Sequence, residues 1–453
     1  MTNPQTGKSV TWTPPAEPRP DFIPKEHYVC PDFNRLENAR LWRRVWQIAC
    51  REEEIPNPGN YVKYDVVDQS IIVLRGDDGT LRAFHNVCQH RGNALLTQER
   101  GSISKFHCSF HGWEWARDGS NLAIKDHGDW AGCRNMRSED VGLKPVQVGT
   151  WGGFVFINMD PTAETLSQFL DPLPSYLDCI ELQKMRFKRY ATVRLKAKWI
   201  TAVTSFTESY HVYTTHPQLK GHLDDISVGY AHGRHGKHGY PNARPFGAPS
   251  SRTGLPVPDD IREGFVRGMD GFAEPGQRNG VVSERSSRAV RRILDEVPAG
   301  TPPQEVYRIA NEFMREAALA EGAGWPELTA EQAANLGIEW NIFPSIAGAV
   351  SLDAAVFFRA RPDSTEVDSC LFDVWMLERV APEKAPKFEY EYYPDWRSAQ
   401  AHFPLLVVQD MRNIEQFQKG MNSIGFSGAR TNPIQETQVW NVHRVLQEYV
   451  CGT

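Results

Sequence analysis

Two short segments bring together residue types suited to redox chemistry. Cys88-Gln-His90-Arg-Gly is followed, with 17 residues between His90 and Cys108, by Cys108-Ser-Phe-His111-Gly-Trp. Each half offers a soft thiolate and an imidazole within two or three residues, a spacing that lets two hairpin tips clamp a metal centre from opposite sides. Gly92 and Gly112 allow the backbone to come close, so that peptide N–H groups point at inorganic sulfides. Two Cys with two His suit a [2Fe–2S] cluster in which both His bind one iron and both Cys the other. A structural zinc site shares this ligand set, but zinc modules favour C-x2-4-C and H-x3-5-H halves, whereas here each half is a Cys/His hybrid. His107 points to the other strand face and reads as structural, as do His85 and the remaining lone histidines.

A second pair, His211 and His216, stands in Ser205-Phe-Thr-Glu208-Ser-Tyr-His211-Val-Tyr-Thr-Thr-His216-Pro217. Five residues is a poor match for one face of a regular helix. A helix that ends or loosens before Pro217 still lets both rings converge. By itself the pair is weak evidence of a site. The third group of histidines, His232, His235 and His238 in GYAHGRHGKHGY, sits among glycines and basic residues. It reads as a flexible loop over a site, without a metal.

The elements that must position these residues belong to a chain of 453 residues and 51.3 kDa, about two or three domains at roughly 150 residues each. With 40% hydrophobic and 23% charged residues, disorder as the main state is excluded. Fifty basic against 56 acidic residues leave a net charge of −6, which argues against a nucleic-acid partner. No run of apolar residues is long enough to span a bilayer, and MTNPQTGKSVTWTPPAEPRP lacks the apolar core of a signal peptide, so a cytoplasmic protein without membrane contact is expected. Eight cysteines are too sparse for a disulfide scaffold. Apart from Cys88 and Cys108 they read as small buried hydrophobes. The 13 Trp, 14 Tyr and 22 Phe serve aromatic cores first, and an apolar pocket second.

The first twenty residues read as an extended, Pro-rich arm, and helical periodicity runs from about Pro24 to Ala49. From Gly59 to about Asp160, short alternating runs broken by DDG, RG and GG predict strands, closed by the buried strand of WGGFVFINMDP. AETLSQFLDPLPSYLDCIEL reads as helical, RFKRYATVRLKAKWITAV as strands, and Lys220–Gly280 as loop. Helices are expected at Glu284–Val297, Pro303–Ala320, Pro404–Ser423 and Ile434–Tyr449, and strands at Ile338–Phe343, Ala354–Ala360 and Ser369–Val380. The expected organisation is α+β: an arm and helix over 1–46, a small β domain over 47–160, and a larger domain with an antiparallel sheet over 161–453.

CQHRG and CSFHGWEWARDG together resemble the cluster motif of the Rieske non-haem iron oxygenases, the α (catalytic) subunits of aromatic-ring-hydroxylating dioxygenases. The resemblance extends through WGGFVFINMDP and the His211 segment, over about residues 25–450, though 220–330 matches no pattern of the family. It implies an all-β Rieske domain whose [2Fe–2S] cluster is held by Cys88, His90, Cys108 and His111, and a helix-grip catalytic domain. It further implies that His211 and His216 hold mononuclear non-haem Fe(II) with a carboxylate from a late helix. LLVVQDMRNIEQFQKGMNS matches that helix, with Asp410 at the ligand position; Asp373, Glu378 and Glu415 compete. An acid on the apolar face of VVQDM is costly unless paired or metal-bound. Glu415 faces about 140° away from Asp410 around the helix.

In the family the position of Glu208 carries an acid that bridges the iron-site His of one subunit to a cluster His of its neighbour. Many ring dioxygenases have Asp there, and an Asn where this chain has Ser205; both departures leave room for monooxygenation or demethylation. The resemblance implies an oxygenase that uses O2 and electrons from a separate reductase, directly or through a ferredoxin, to hydroxylate an apolar, aromatic substrate. Such α chains form trimers, with or without β subunits. A monooxygenase acting on an N- or O-methyl group, a quaternary amine or a steroid-like ring is the alternative. Outside the enzymes, a Rieske electron carrier or a zinc-stapled binding protein also fits the first constellation.

Overall fold

Residues 14–273 and 282–452 are described by a computed structural model. The chain divides into two units: Asn38–Asp171, and Met1–Glu37 together with Pro172–Thr453. The smaller unit starts nine residues before the expected 47–160 and ends eleven after it. Its margins are tied in by hydrogen bonds: Trp46 Nε1 donates to Glu164 O (2.8 Å), Asn158 Nδ2 to Arg44 O (3.0 Å) and Gln47 Nε2 to Trp42 O (2.8 Å).

The smaller unit is all β in its core. A seven-stranded antiparallel sheet runs in the order Gln47–Arg51, Phe154–Asn158, Pro145–Trp151, Leu81–His85, Gln69–Arg75, Asn60–Val66, Arg100–Ser102. A second, three-stranded sheet holds Phe106–His107, Glu114–Trp115 and Asn121–Ala123. Apolar residues on alternate positions, among them Ile72, Leu74, Phe84, Phe106, Trp113 and Trp115, form one core with the Cys88 and Cys108 side chains. The helical pattern expected from Pro24 to Ala49 is corrected. Helices cover Glu26–Val29 and Pro31–Arg40, while Gln47–Arg51 is a strand with all five residues buried. A short run buried on both faces carries no period, so pairing with Phe154–Asn158 decides it.

In the larger unit, eight strands lie in the order Val228–His232, His235–Gly239, Glu339–Ile342, Ile346–Val350, Ala354–Pro362, Cys370–Arg379, Met185–Leu195, Tyr390–Tyr393. All pairs are antiparallel except Met185–Leu195 with Tyr390–Tyr393. The helix Trp199–Thr204 packs on the central strands, Leu405–Met421 packs on that helix, and Thr437–Cys451 packs on the Val228–Gly239 hairpin. The expected strand continuing through KWITAV is therefore a helix, fully buried from Trp199 to Thr204.

The loop expected over 220–280 is also corrected. It holds the Val228–Gly239 hairpin and the helix Arg262–Ala273, with 274–281 lying outside the described residues. Phe265, Val266 and Met269 of that helix bury against Val290, Ile293, Val306 and Phe313 of the following helices. The His-rich patch is no flexible lid. His235 and His238 are fully buried in the hairpin, where Phe343 N donates to His235 Nδ1 and Asn441 Nδ2 to His235 O. Glycines at 229 and 236 make this possible, because a Cβ there would meet Thr437 and Gln438 of the C-terminal helix. Among the described residues no helix is long and apolar enough to cross a membrane.

Candidate metal centres

In the smaller unit each half of the first constellation closes into a tight loop. Gly92 N donates to Cys88 O and Cys88 N to Asn93 O; Gly112 N donates to Cys108 O and Cys108 N to Trp113 O. Gly92 and Gly112 take φ values of +78° and +68°, which an L side chain resists. The loops bring His90 and His111 to 4.7 Å between ring centroids, and His90 stacks on Trp113 at 5.0 Å with planes 9° apart.

The donor set suits a cluster. Both sulfurs are buried, and backbone N–H groups of His90 and Arg91 point at Cys88, those of Phe110 and His111 at Cys108. Burial pushes the Cys88 thiol up, and Cys108 beside it adds to this. Burial works on Cys108 as well, but the N–H groups and the Cys88 thiol outweigh it and draw its pKa down. Among the described residues His90 Nδ1 is buried without a hydrogen-bond partner, a nitrogen open to a metal. His107, by contrast, faces solvent and pairs with Glu114, as its strand position predicts.

In the larger unit, His211, His216 and Asp410 each offer a ligand atom within 4.8 Å of the others. His211 precedes a single helical turn, Val212–Thr215, and Pro217, with no N–H to give, ends it. His216 leaves helical geometry (φ −117°, ψ 65°), which turns its ring toward His211 in spite of the five-residue spacing; the centroids lie 5.3 Å apart. Asp410 comes from Leu405–Met421, on the same buried face as Val407, Met411 and Ile414. Its Oδ1 lies 3.2 Å from His216 Nε2 and 3.7 Å from His211 Nε2.

The competing carboxylates are engaged elsewhere. Asp373 accepts from Arg359 and Thr192, Glu378 pairs with Lys188, and Glu415 accepts from Lys196 N and pairs with Arg397. Glu208 grips His211 at two points, its Oε1 2.7 Å from Nδ1 and its Oε2 accepting from the backbone N at 3.1 Å. Burial alone would lower the pKa of His211, yet Glu208 and then Asp410 raise it to about 9.

Gln409, which the sequence reading passed over, holds His216 in the same way, its Oε1 2.8 Å from Nδ1 and also accepting from Gln218. Its position beside Asp410 was the available signal. Both rings thus keep Nε2 toward Asp410. The Ser205 hydroxyl donates to Thr201 O.

The centre lines a cavity of about 1160 Å³. Phe206, stacked on Phe358 at 4.0 Å, and Val356, Met376, Leu223 and Phe272 form apolar walls, while Glu339, His238 and Tyr240 are polar groups on its lining. Such a cavity has room for a small organic molecule beside the three ligand atoms.

Comparisons with known proteins agree with this architecture. Residues 45–132 match the family described as Rieske [2Fe-2S] domain, and residues 272–452 the Ring hydroxylating alpha subunit (catalytic domain). The chain is 34% identical over 202 residues to a glycine betaine monooxygenase oxygenase subunit of Chromohalobacter salexigens, covering 44% of each chain. It is 31% identical over 202 residues to the anthranilate 1,2-dioxygenase large subunit of Acinetobacter baylyi, covering 43% and 42%. These matches span about half the length of those relatives. Among solved structures, a quaternary ammonium Rieske monooxygenase in complex with L-carnitine superposes with a TM-score of 0.64 at 16% identity, over 95% of this chain and 97% of that one. Naphthalene 1,2-dioxygenase with indole bound does so at 0.62 and 18%, over 92% and 90%. At such identities the likeness is one of fold.

Proposed function

This chain belongs to the Rieske non-haem iron oxygenases, and from that membership we propose that it is an oxygenase component that uses O2 and electrons from a separate reductase to hydroxylate a small organic substrate. The family's cofactors are a Rieske [2Fe–2S] cluster and mononuclear non-haem iron. Cys88 and Cys108 would hold one iron of the cluster and His90 and His111 the other; His211, His216 and Asp410 would hold the mononuclear iron. The observation that carries the reading is the convergence of His211, His216 and Asp410 on the wall of a large apolar cavity, in a chain that also carries the Cys/His loops.

When bound, the cluster supplies single electrons and the iron supplies the activation of O2. The protein's own part is geometric and electrostatic. Glu208 and Gln409 each hold an imidazole by Nδ1, so that both Nε2 atoms face Asp410. Phe206, Phe358, Val356 and Met376 offer an apolar wall on which an apolar part of the substrate would pack.

Two substrate classes compete: an apolar, aromatic ring, or an N-methyl group of a quaternary amine. Relatives named for glycine betaine and carnitine favour the second, and so do Glu208 and Ser205 in place of the Asp and Asn of many ring dioxygenases. Electron-supplying partners and a trimeric assembly of α chains are part of the proposal. Asp410→Ala tests it: the cluster colour should persist while mononuclear iron and substrate-dependent O2 uptake are lost together. Unchanged iron content and rate would overturn the assignment.

A further inference from the structure

Three carboxylates on the cavity lining are not used by the iron site: Asp224 accepts from Arg244 N and Ser251 N, Asp353 accepts from Ser286 and pairs with Arg285, and the third is Glu339. Glu339, at the start of the strand Glu339–Ile342, lines the cavity and keeps 28% of its side chain accessible. Its partners are His238 and Tyr240, both from the His-rich hairpin and the residue after it. Tyr240 donates its hydroxyl to Glu339 Oε1 at 3.2 Å, and His238 Nε2 faces Oε2. The amide nitrogen of Gln438 lies 3.0 Å from His238 Nδ1. The carboxylate is held by His238 and Tyr240, and among the described residues no lysine or arginine pairs with it.

Burial pushes the Glu339 carboxyl up, while His238 and then Tyr240 pull it below the usual range. A carboxylate on an apolar wall, with no lysine or arginine beside it, is stabilised by a cationic group that enters the cavity.

We propose that Glu339, presented by His238 and Tyr240, is a specificity-determining residue that anchors the cationic group of the substrate, and hence that the substrate is an organic cation such as a quaternary or protonated amine. This rests on the reading of the cavity as the substrate pocket. Aromatic rings around the cavity, among them Phe206, Phe358, Phe272 and Tyr307, offer further stabilisation to an onium group. An aromatic hydrocarbon would leave the carboxylate unpaired.

The test compares choline with its neutral carbon isostere, 3,3-dimethylbutan-1-ol, by calorimetry on the iron-loaded protein in its resting state. Choline should bind about ten-fold more tightly to the wild type. The preference should vanish in Glu339→Gln, which keeps the side-chain shape and one accepting oxygen but removes the charge. Glu339→Asp, which keeps the charge, should retain most of it. Iron content and the cluster spectrum, measured on each protein, should stay unchanged. A wild type that does not distinguish the two probes overturns the proposal, as does a Glu339→Gln protein that still prefers choline. Loss of mononuclear iron from Glu339→Gln overturns it too, because the carboxylate would then serve the metal. Oxygenase function is read separately, as O2 uptake with a reductase: a protein that prefers choline yet consumes no O2 fails the functional reading and leaves this one standing.

Discussion

Replacing Glu208 should weaken the mononuclear iron site in two separable steps. Its Oε1 lies 2.7 Å from His211 Nδ1 and its Oε2 accepts from His211 N at 3.1 Å, so one side chain fixes both the ring and its backbone. Glu208→Gln keeps an oxygen for Nδ1–H but removes the charge. A hydrogen bond to a charged group contributes about 1.5–3 kcal/mol and a neutral one about 0.5–1.5, so the loss is about 1–1.5 kcal/mol, or about ten-fold in Fe(II) affinity. Glu208→Ala removes orientation as well, and outer-sphere partners of metal-bound histidines contribute about 10–100-fold in affinity, so it should fall toward the larger figure. The assay is anaerobic Fe(II) competition against a chelator, with the visible cluster spectrum as a control that the smaller unit is intact. Wild-type affinity in Glu208→Ala would refute the reasoning, and Glu208 would then be a helix-capping acid only.

Cys108→Ala or His111→Ala should abolish the visible spectrum while leaving the larger unit folded by circular dichroism, since a cluster iron loses a ligand that no neighbour replaces. Acid should destabilise the larger unit through His27, which burial holds at a pKa of about 3 beside Lys198 while Gln447 accepts from its Nε2–H. The unfolded chain takes up a proton near pH 6.5 and the folded chain does not, so stability present above pH 6.5 is lost as the pH falls toward 3. Between pH 7 and 5 wild type should lose about 2 kcal/mol more than His27→Gln in urea unfolding followed by tryptophan fluorescence, and equal losses would refute the assignment. Co-expressed His111→Ala and His211→Ala chains, each inactive alone, should regain part of the wild-type activity if electrons pass between subunits, and Glu208→Ala in the iron-competent chain should remove the rescue; verified mixed trimers that stay inactive would place the transfer within one chain.

Local chemistry was readable from the chain before folding. Cys88, His90, Cys108 and His111 stand so close in sequence that two loops suffice to assemble them, and the glycines that let each loop close are part of the same words. The strands of the smaller unit were legible because one face of each alternates with a core. Asp410 stands 194 residues beyond His216, and Asp373, Glu378 and Glu415 carry the same chemistry. The packing of Leu405–Met421 on the Trp199–Thr204 helix sets Asp410 beside both histidines, while the rivals accept from partners elsewhere, and this favours Asp410.

The histidines at 235 and 238 show the reverse error. Glycine and basic neighbours read as a loop, but burial is a property of what lies opposite, and Thr437–Cys451 covers that hairpin. Glu339 lies 101 residues from His238 in the chain and is paired with it by strand register. Residue type and short spacing thus declared the chemistry of each site. Which distant carboxylate comes to stand beside His211 and His216, and which lines the cavity without a lysine or arginine partner, depended on long-range sheet register and helix packing that no local pattern encodes.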